Sequence, residues 1–265
     1  MGKAENHSSL MIREHLFHRS PTADPDFRWR GGEVSRVEAF SDGIFAITVT
    51  LLIVSTASIE RFYDVWILVR DLPAFLLSFA FLMYAWFEHH RFFRRYGLQD
   101  GLTLLINTMF LFLIMILAYP LKLLTTFLWY LILGIPSNQL FSTPPDVVLN
   151  ITEFMQRTYM MYFYSAAVVG VFGCLLFMHL NALWKKQQLE LDELELVMTQ
   201  KSYFHHLATV TIAVISMLVL WLTKLPGWSG VVYFMMPLAH FLTGLYFEFK
   251  MNRIKATATE PQNNQ

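Results

Sequence analysis

The sequence predicts an all-α integral membrane protein with six transmembrane helices per subunit and both termini on the cytoplasmic side. Composition is the first reason. Of 265 residues, 55% are hydrophobic and only 15% charged, where a soluble domain carries about 25% charged residues. A mean hydropathy of +0.42 means more apolar surface than one globular core can hide, so lipid must solvate the excess. The second reason is length. Crossing ~30 Å of hydrocarbon takes ~20 mostly apolar residues, and six stretches satisfy that. The third is the uneven division of Lys and Arg between the two faces those stretches define.

The spans are expected over 36–57, 70–90, 101–126, 157–183, 204–224 and 229–249. An even number returns the chain to the side on which it began. With the termini inside, fifteen of the twenty Lys and Arg residues fall on inner segments; Arg61, Arg70, Lys122, Arg157 and Lys224 fall on the outer side or at outer helix ends. Net charge is zero, so bulk electrostatics calls for neither nucleic acid nor an acidic partner. The single cysteine, Cys174, rules out an intrachain disulfide and a cysteine-based metal cage. No apolar run precedes a cleavage site near the N-terminus, so no signal peptide is expected.

Around the 35–250 membrane domain, residues 1–34 read as a polar tail, mobile or only locally helical. The 127–156 connection carries Gly134, Pro136, Pro144 and Pro145 and reads as an outer loop with an interfacial piece. It includes Asn150-Ile151-Thr152, formally a glycosylation sequon. The charged segment 185–201 reads as a helical turn or hairpin, and 251–265 as a disordered tail.

The first helix is the most informative element. Ser35-Arg36-Val37-Glu38 forms a Ser-x-x-Glu capping box that opens it. At about 100° per residue, Gly43, Ile47, Thr50, Val54 and Ala57 lie within about 80° of one another. This narrow stripe of small and medium residues has two readings. It is a packing seam, where small residues let backbones approach, or a pore wall, where apolar rings constrict and a hydroxyl ring meets an ion. Asp42 points about 140° from Ile47, and a charge at its depth costs at least ~2.5 kcal/mol unless paired or hydrated. Trp86, His89, His90 and Asn107 sit at a similar level on the next two spans, so a polar knot locking the first helix to both is expected.

Catalytic chemistry is not expected. His89 and His90 point about 100° apart and cannot both bind one metal from one face. No GxSxG, Walker A, GxGxxG or HExxH is present, nor the TVGYG filter.

The run Arg36-x-x-x-Phe40-Ser41-Asp42-Gly43-Ile44-Phe45-Ala46-Ile47-x-x-Thr50-Leu51-Leu52 resembles the first-helix signature of the transmembrane protein 175 family of potassium channels. The likeness continues in Trp86-Phe87-Glu88-His89-His90-Arg91-Phe92 and, more loosely, at Asn107 and Pro120. The length resembles single-repeat prokaryotic members. The resemblance implies a homotetramer in a bacterial plasma membrane, with a pore lined by the first helix. Ile47 and Val54 would be its constrictions, Thr50 its selectivity layer, and Gly43 and Ala57 further lining. Arg36, Phe40, Ser41, Asp42, Trp86, His89, His90 and Asn107 would be the supporting network. Potassium and other monovalent cations would pass, with no cofactor. Val54 stands where leucine is more typical. Two other readings stay open: a proton-coupled transporter or proton leak using Asp42 with His89 or His90, and a non-conducting scaffold.

Overall fold

The structure, a computed structural model, describes residues 26–54, 60–142 and 151–259. In chain order the helices are α1 (Arg36–Val54), α2 (Phe62–Tyr96), α3 (Gly101–Leu133), α4 (Glu153–Trp184), α5 (Glu193–Thr223), α6 (Pro226–Val232) and α7 (Met235–Thr259), with a 3-10 turn at Asn138–Phe141. The described residues contain no strand and make six spans long and apolar enough to cross a membrane, α6 and α7 together forming the last. The starts of α1, α3 and α5 and the ends of α2, α4 and α7 share one end of the bundle, called basal here.

Five of the spans outrun the apolar stretches that announce them. Residues 70–90 become Phe62–Tyr96, 101–126 become Gly101–Leu133, and 204–224 become Glu193–Thr223. Lipid thickness fixes how many apolar residues a span needs, whereas caps fix where a helix stops. The start of α2 is set by Asp64, whose carboxylate accepts from the Arg61 amide at 2.7 Å. Its end is set by Gly97, left-handed at φ 59. A Cβ there would also lie 3.0 Å from the Arg30 carbonyl oxygen, so glycine is needed twice over. At the start of α5, Asp192 and Glu195 form a reciprocal capping box. Lys224, left-handed at φ 57, ends that helix, and Pro226 opens the next.

Three loop and tail expectations need correction. Residues 127–133 of the supposed outer loop belong to α3; 143–150, including Asn150 of the sequon, lie outside the described residues, while Thr152 caps α4 by accepting from the Met155 amide at 3.3 Å. The 251–265 tail is helical as far as Thr259. Lys255 holds Asp26 at 2.6 Å and Lys250 donates to Gln200 at 3.2 Å, contacts that a composition-based reading cannot see. Residues 26–34 of the N-terminal tail are not helical: as turns, bends and irregular backbone they pack against the basal ends of α2 and α5, with Phe27 only 4% exposed. The 185–201 segment makes the expected turn and then enters α5.

α1 packs on α3 and α2, α4 packs along α5 and α3, and α7 leans on α5. Phe92, Phe93, Tyr96, Phe110, Leu175 and Met178 form the buried basal half of the core. Asp100 joins the basal ends of α3 and α4. It caps α3 by accepting from Thr103, pairs with Lys185 at 2.8 Å and accepts from Asn181 at 3.3 Å. Burial pushes its carboxyl up, but the bonds from Lys185 and Thr103 outweigh that and hold it at about 2. Asp100→Ala is expected to lower stability by about 1–2 kcal/mol, the worth of a good cap, read as a fall in the melting temperature of purified protein in detergent.

A bare helix face and its polar support

α1 has two unlike faces. Ser41, Phe45, Thr48 and Leu52 are at most 3% exposed and turn toward α2 and α3. On the opposite side Phe40 is 64% exposed, Ile47 54% and Val54 70%; Gly43, Ala46 and Thr50 share that side. A Cβ added at Gly43 would meet nothing within 4 Å. The stripe is therefore not a seam between described helices of the same chain. Ala57 lies outside the described residues.

The hydroxyls on α1 are already committed as donors. Ser41 donates to the Val37 carbonyl at 2.8 Å, Thr48 to Ile44 at 2.7 Å and Thr50 to Ala46 at 3.0 Å. Back-bonding of this kind satisfies an apolar helix from within. For Thr50, on the bare face, it leaves the oxygen lone pairs turned away from the backbone.

Behind α1, Asn107 of α3 bridges two helices. His89 Nε2 of α2 donates to Asn107 Oδ1 at 2.7 Å, and Asn107 Nδ2 donates to Ser41 Oγ at 3.2 Å. The chain of donors fixes His89 as the Nε2–H form on that side. An aromatic wall encloses it: the His89 ring stacks on Phe110 at 5.4 Å with 9° between planes, and Phe93 and Phe45 stand 4.8 and 5.9 Å away. A second, separate contact lies nearer the surface. Trp86 Nε1 donates to Asp42 Oδ1 at 2.8 Å, and His90 stacks on Trp86 at 5.3 Å.

The single knot expected from the sequence is thus two clusters. Ser41, His89 and Asn107 are joined in one, Asp42, Trp86 and His90 in the other. Arg36 and Phe40 join neither: both are exposed, and Arg36 makes no hydrogen bond or ion pair with a described residue. Sequence reasoning placed Glu38 in the capping box but missed its second partner. Besides closing the capping box with Ser35, Glu38 faces Arg94 of α2 at 3.7 Å. The Phe-Arg-Trp-Arg-Gly-Gly run at 27–32 was the available signal for the docked tail, since aromatic and paired-glycine content is unusual in a solvated arm.

Comparison with known proteins selects the same elements. The model of the endosomal/lysosomal potassium channel TMEM175 matches residues 36–118, which span α1, α2 and half of α3. A potassium channel of Marivirga tractuosa is 31% identical over 222 residues, covering 80% of this chain and 87% of the relative. A potassium channel of Chamaesiphon minutus is 32% identical over 107 residues, 36% of this chain and 51% of that one. Among solved structures, the crystal structure of a threonine-to-alanine variant of the potassium channel MtTMEM175, bound to a nanobody–MBP fusion, superposes with a TM-score of 0.71. It is 28% identical, covering 85% of this chain and 98% of that one.

Asn107→Ala strips His89 and Ser41 of their shared partner inside an apolar wall. A loss of about 1–3 kcal/mol is expected, the penalty for unpaired buried polar groups, measured by thermal unfolding against the parent protein.

Proposed function

This chain belongs to the TMEM175 family of potassium channels, and from that premise we propose that it is a passive potassium channel of the bacterial plasma membrane whose pore is enclosed by the α1 helices of four copies. The family is one of ion channels, not enzymes. The observation that carries the reading is the bareness of the Gly43–Ile47–Thr50–Val54 face, set against the complete burial of the opposite side of the same helix. One such face cannot surround a channel, so closed rotational symmetry is required. The basal end, where most of the Lys and Arg side chains lie, is then cytoplasmic.

In that assembly each side chain of the stripe becomes a ring. Four Ile47 side chains form an apolar constriction that disfavours a fully hydrated ion. Potassium sheds water more cheaply than sodium, so the narrowing favours it. One turn outward, four Thr50 oxygens, their hydrogens already given to Ala46 carbonyls, offer lone pairs that replace part of the lost hydration. Val54 makes a further, shorter-limbed ring. With no cage of backbone carbonyls in this scheme, selectivity is modest. The two clusters behind α1 hold its bare face in register, and Arg36 and Phe40 stand at the cytoplasmic mouth. The carrier alternative loses support in its His89 form, because His89 is committed to Asn107 and Asp42 to Trp86; His90 meets the Asp42 cluster only by stacking on the Trp86 ring.

Ile47→Ala widens the constriction and is expected to raise sodium permeation relative to potassium in liposome flux assays; an unchanged permeability ratio removes Ile47 from the pore. Thr50→Val keeps the shape and removes the oxygen, so potassium preference should fall while the melting temperature moves little. Retained preference in that variant rules out the hydroxyl ring as the discriminator.

A further inference from the structure

The tail that leads into α1 is built like a lock. Among the described residues, the Arg30 guanidinium places all five of its N–H donors. Nε donates to the Leu189 carbonyl at 2.6 Å, one terminal nitrogen to the Arg28 carbonyl at 2.9 Å and to Glu195 Oε1 at 3.1 Å. The other donates to the Glu190 carbonyl at 3.1 Å and to Glu195 Oε2. The Glu195 side chain is 1% exposed and that of Arg30 13%, so this is a largely desolvated, fully satisfied pair. Glu190 adopts a left-handed backbone at φ 49 to complete it, a conformation that costs a non-glycine residue.

The strap is also laid onto the end of α2. The Gly31 amide donates to the Arg94 carbonyl at 3.0 Å and the Arg30 amide to Arg95 at 3.4 Å, occupying carbonyls that the helix terminus would otherwise leave open. A Cβ at Gly31 would come within 2.7 Å of the Phe93 carbonyl oxygen, so only glycine permits the approach. Phe27 packs edge-on against Tyr96 at 5.6 Å, under the Arg95 guanidinium at 4.9 Å.

From Arg30 to the Ser35 cap of α1 the chain takes five residue steps, which reach at most about 18 Å. Arg94 shortens that tether further: it donates to the Gly32 carbonyl at 2.9 Å and faces Glu38 in the first turn of α1 at 3.7 Å. We propose that the Arg30–Glu195 lock is a positioning device for conduction, setting the height and rotation of the basal end of α1 from the α4–α5 turn. The inference rests on the reading that α1 lines the pore. Arg30 and Glu195 touch no permeating ion; they act through the strap.

The test is single-channel recording of full-length protein reconstituted in planar bilayers. Glu195→Gln removes the charge that closes the lock, and Arg30→Lys leaves three donors for five acceptors. Each is expected to change unitary potassium conductance or the potassium-to-sodium permeability ratio about twofold or more, the low end for indirect coupling through a packed network. Glu33→Gln, on the exposed side of the strap, is expected to change neither. A purely stabilising lock would reduce the number of assembled channels and leave unitary behaviour unaltered, and that result in either variant overturns the proposal. Arg30→Lys, the milder change, keeps the test available where Glu195→Gln does not assemble. Ile47→Ala separates the two readings. If it shifts the permeability ratio and the lock variants do not, the lock proposal alone fails; if Ile47→Ala also shifts nothing, the pore assignment fails first.

Discussion

A carboxamide buried in an apolar bundle must find a donor for its oxygen and an acceptor for its nitrogen, and Asn107 finds them on two different helices. His89 supplies the first from α2 and Ser41 the second from α1. Hydrogen bonds between membrane helices are individually modest, but this one has no free rotation to exploit. The Phe45, Phe93 and Phe110 rings fix the imidazole plane, and Ser41 spends its own proton on the Val37 carbonyl. With its direction set on the buried side, α1 has its other side turned out. The bare stripe and the buried knot are two consequences of one constraint.

The same rule of internal satisfaction shapes the helix ends. Spans overshoot the hydrocarbon thickness because each continues until a cap absorbs its last amides or carbonyls: Asp100 for α3, Thr152 for α4, the Asp192–Glu195 box for α5. Glu195 serves twice. It closes its own capping box by accepting from Asp192 at 3.2 Å while gripping Arg30. A single carboxylate thereby joins the start of α5 to the strap that precedes α1, and α1, though joined to α2 by contact, is also held from a more distant part of the chain.

These arrangements divide the work around α1. Along its length it is positioned by apolar packing and by the two polar clusters; at its basal end it is positioned by Arg94 and the strap. On the opposite side, the Gly43, Ile47, Thr50 and Val54 stripe is left exposed. The helix is thus supported behind and below and open in front.

Much of this was legible from residue order alone. The number of spans follows from the count of apolar stretches, because the lipid thickness demands a minimum length whatever the neighbours do. The capping box at Ser35 and the grouping of Ile47, Thr50 and Val54 on one side of α1 follow from helical periodicity, which is local. The families of residues needed for a polar knot were visible too. Tertiary structure alone decided that this knot is two clusters, that Arg36 stands outside both, and that residues 26–34 and 251–259 are ordered. Those outcomes hang on contacts such as Arg30 with Glu195 and Asp26 with Lys255, between residues more than a hundred and fifty positions apart. No local pattern encodes such a pairing; it exists only once the bundle has brought both ends of the chain to the same side.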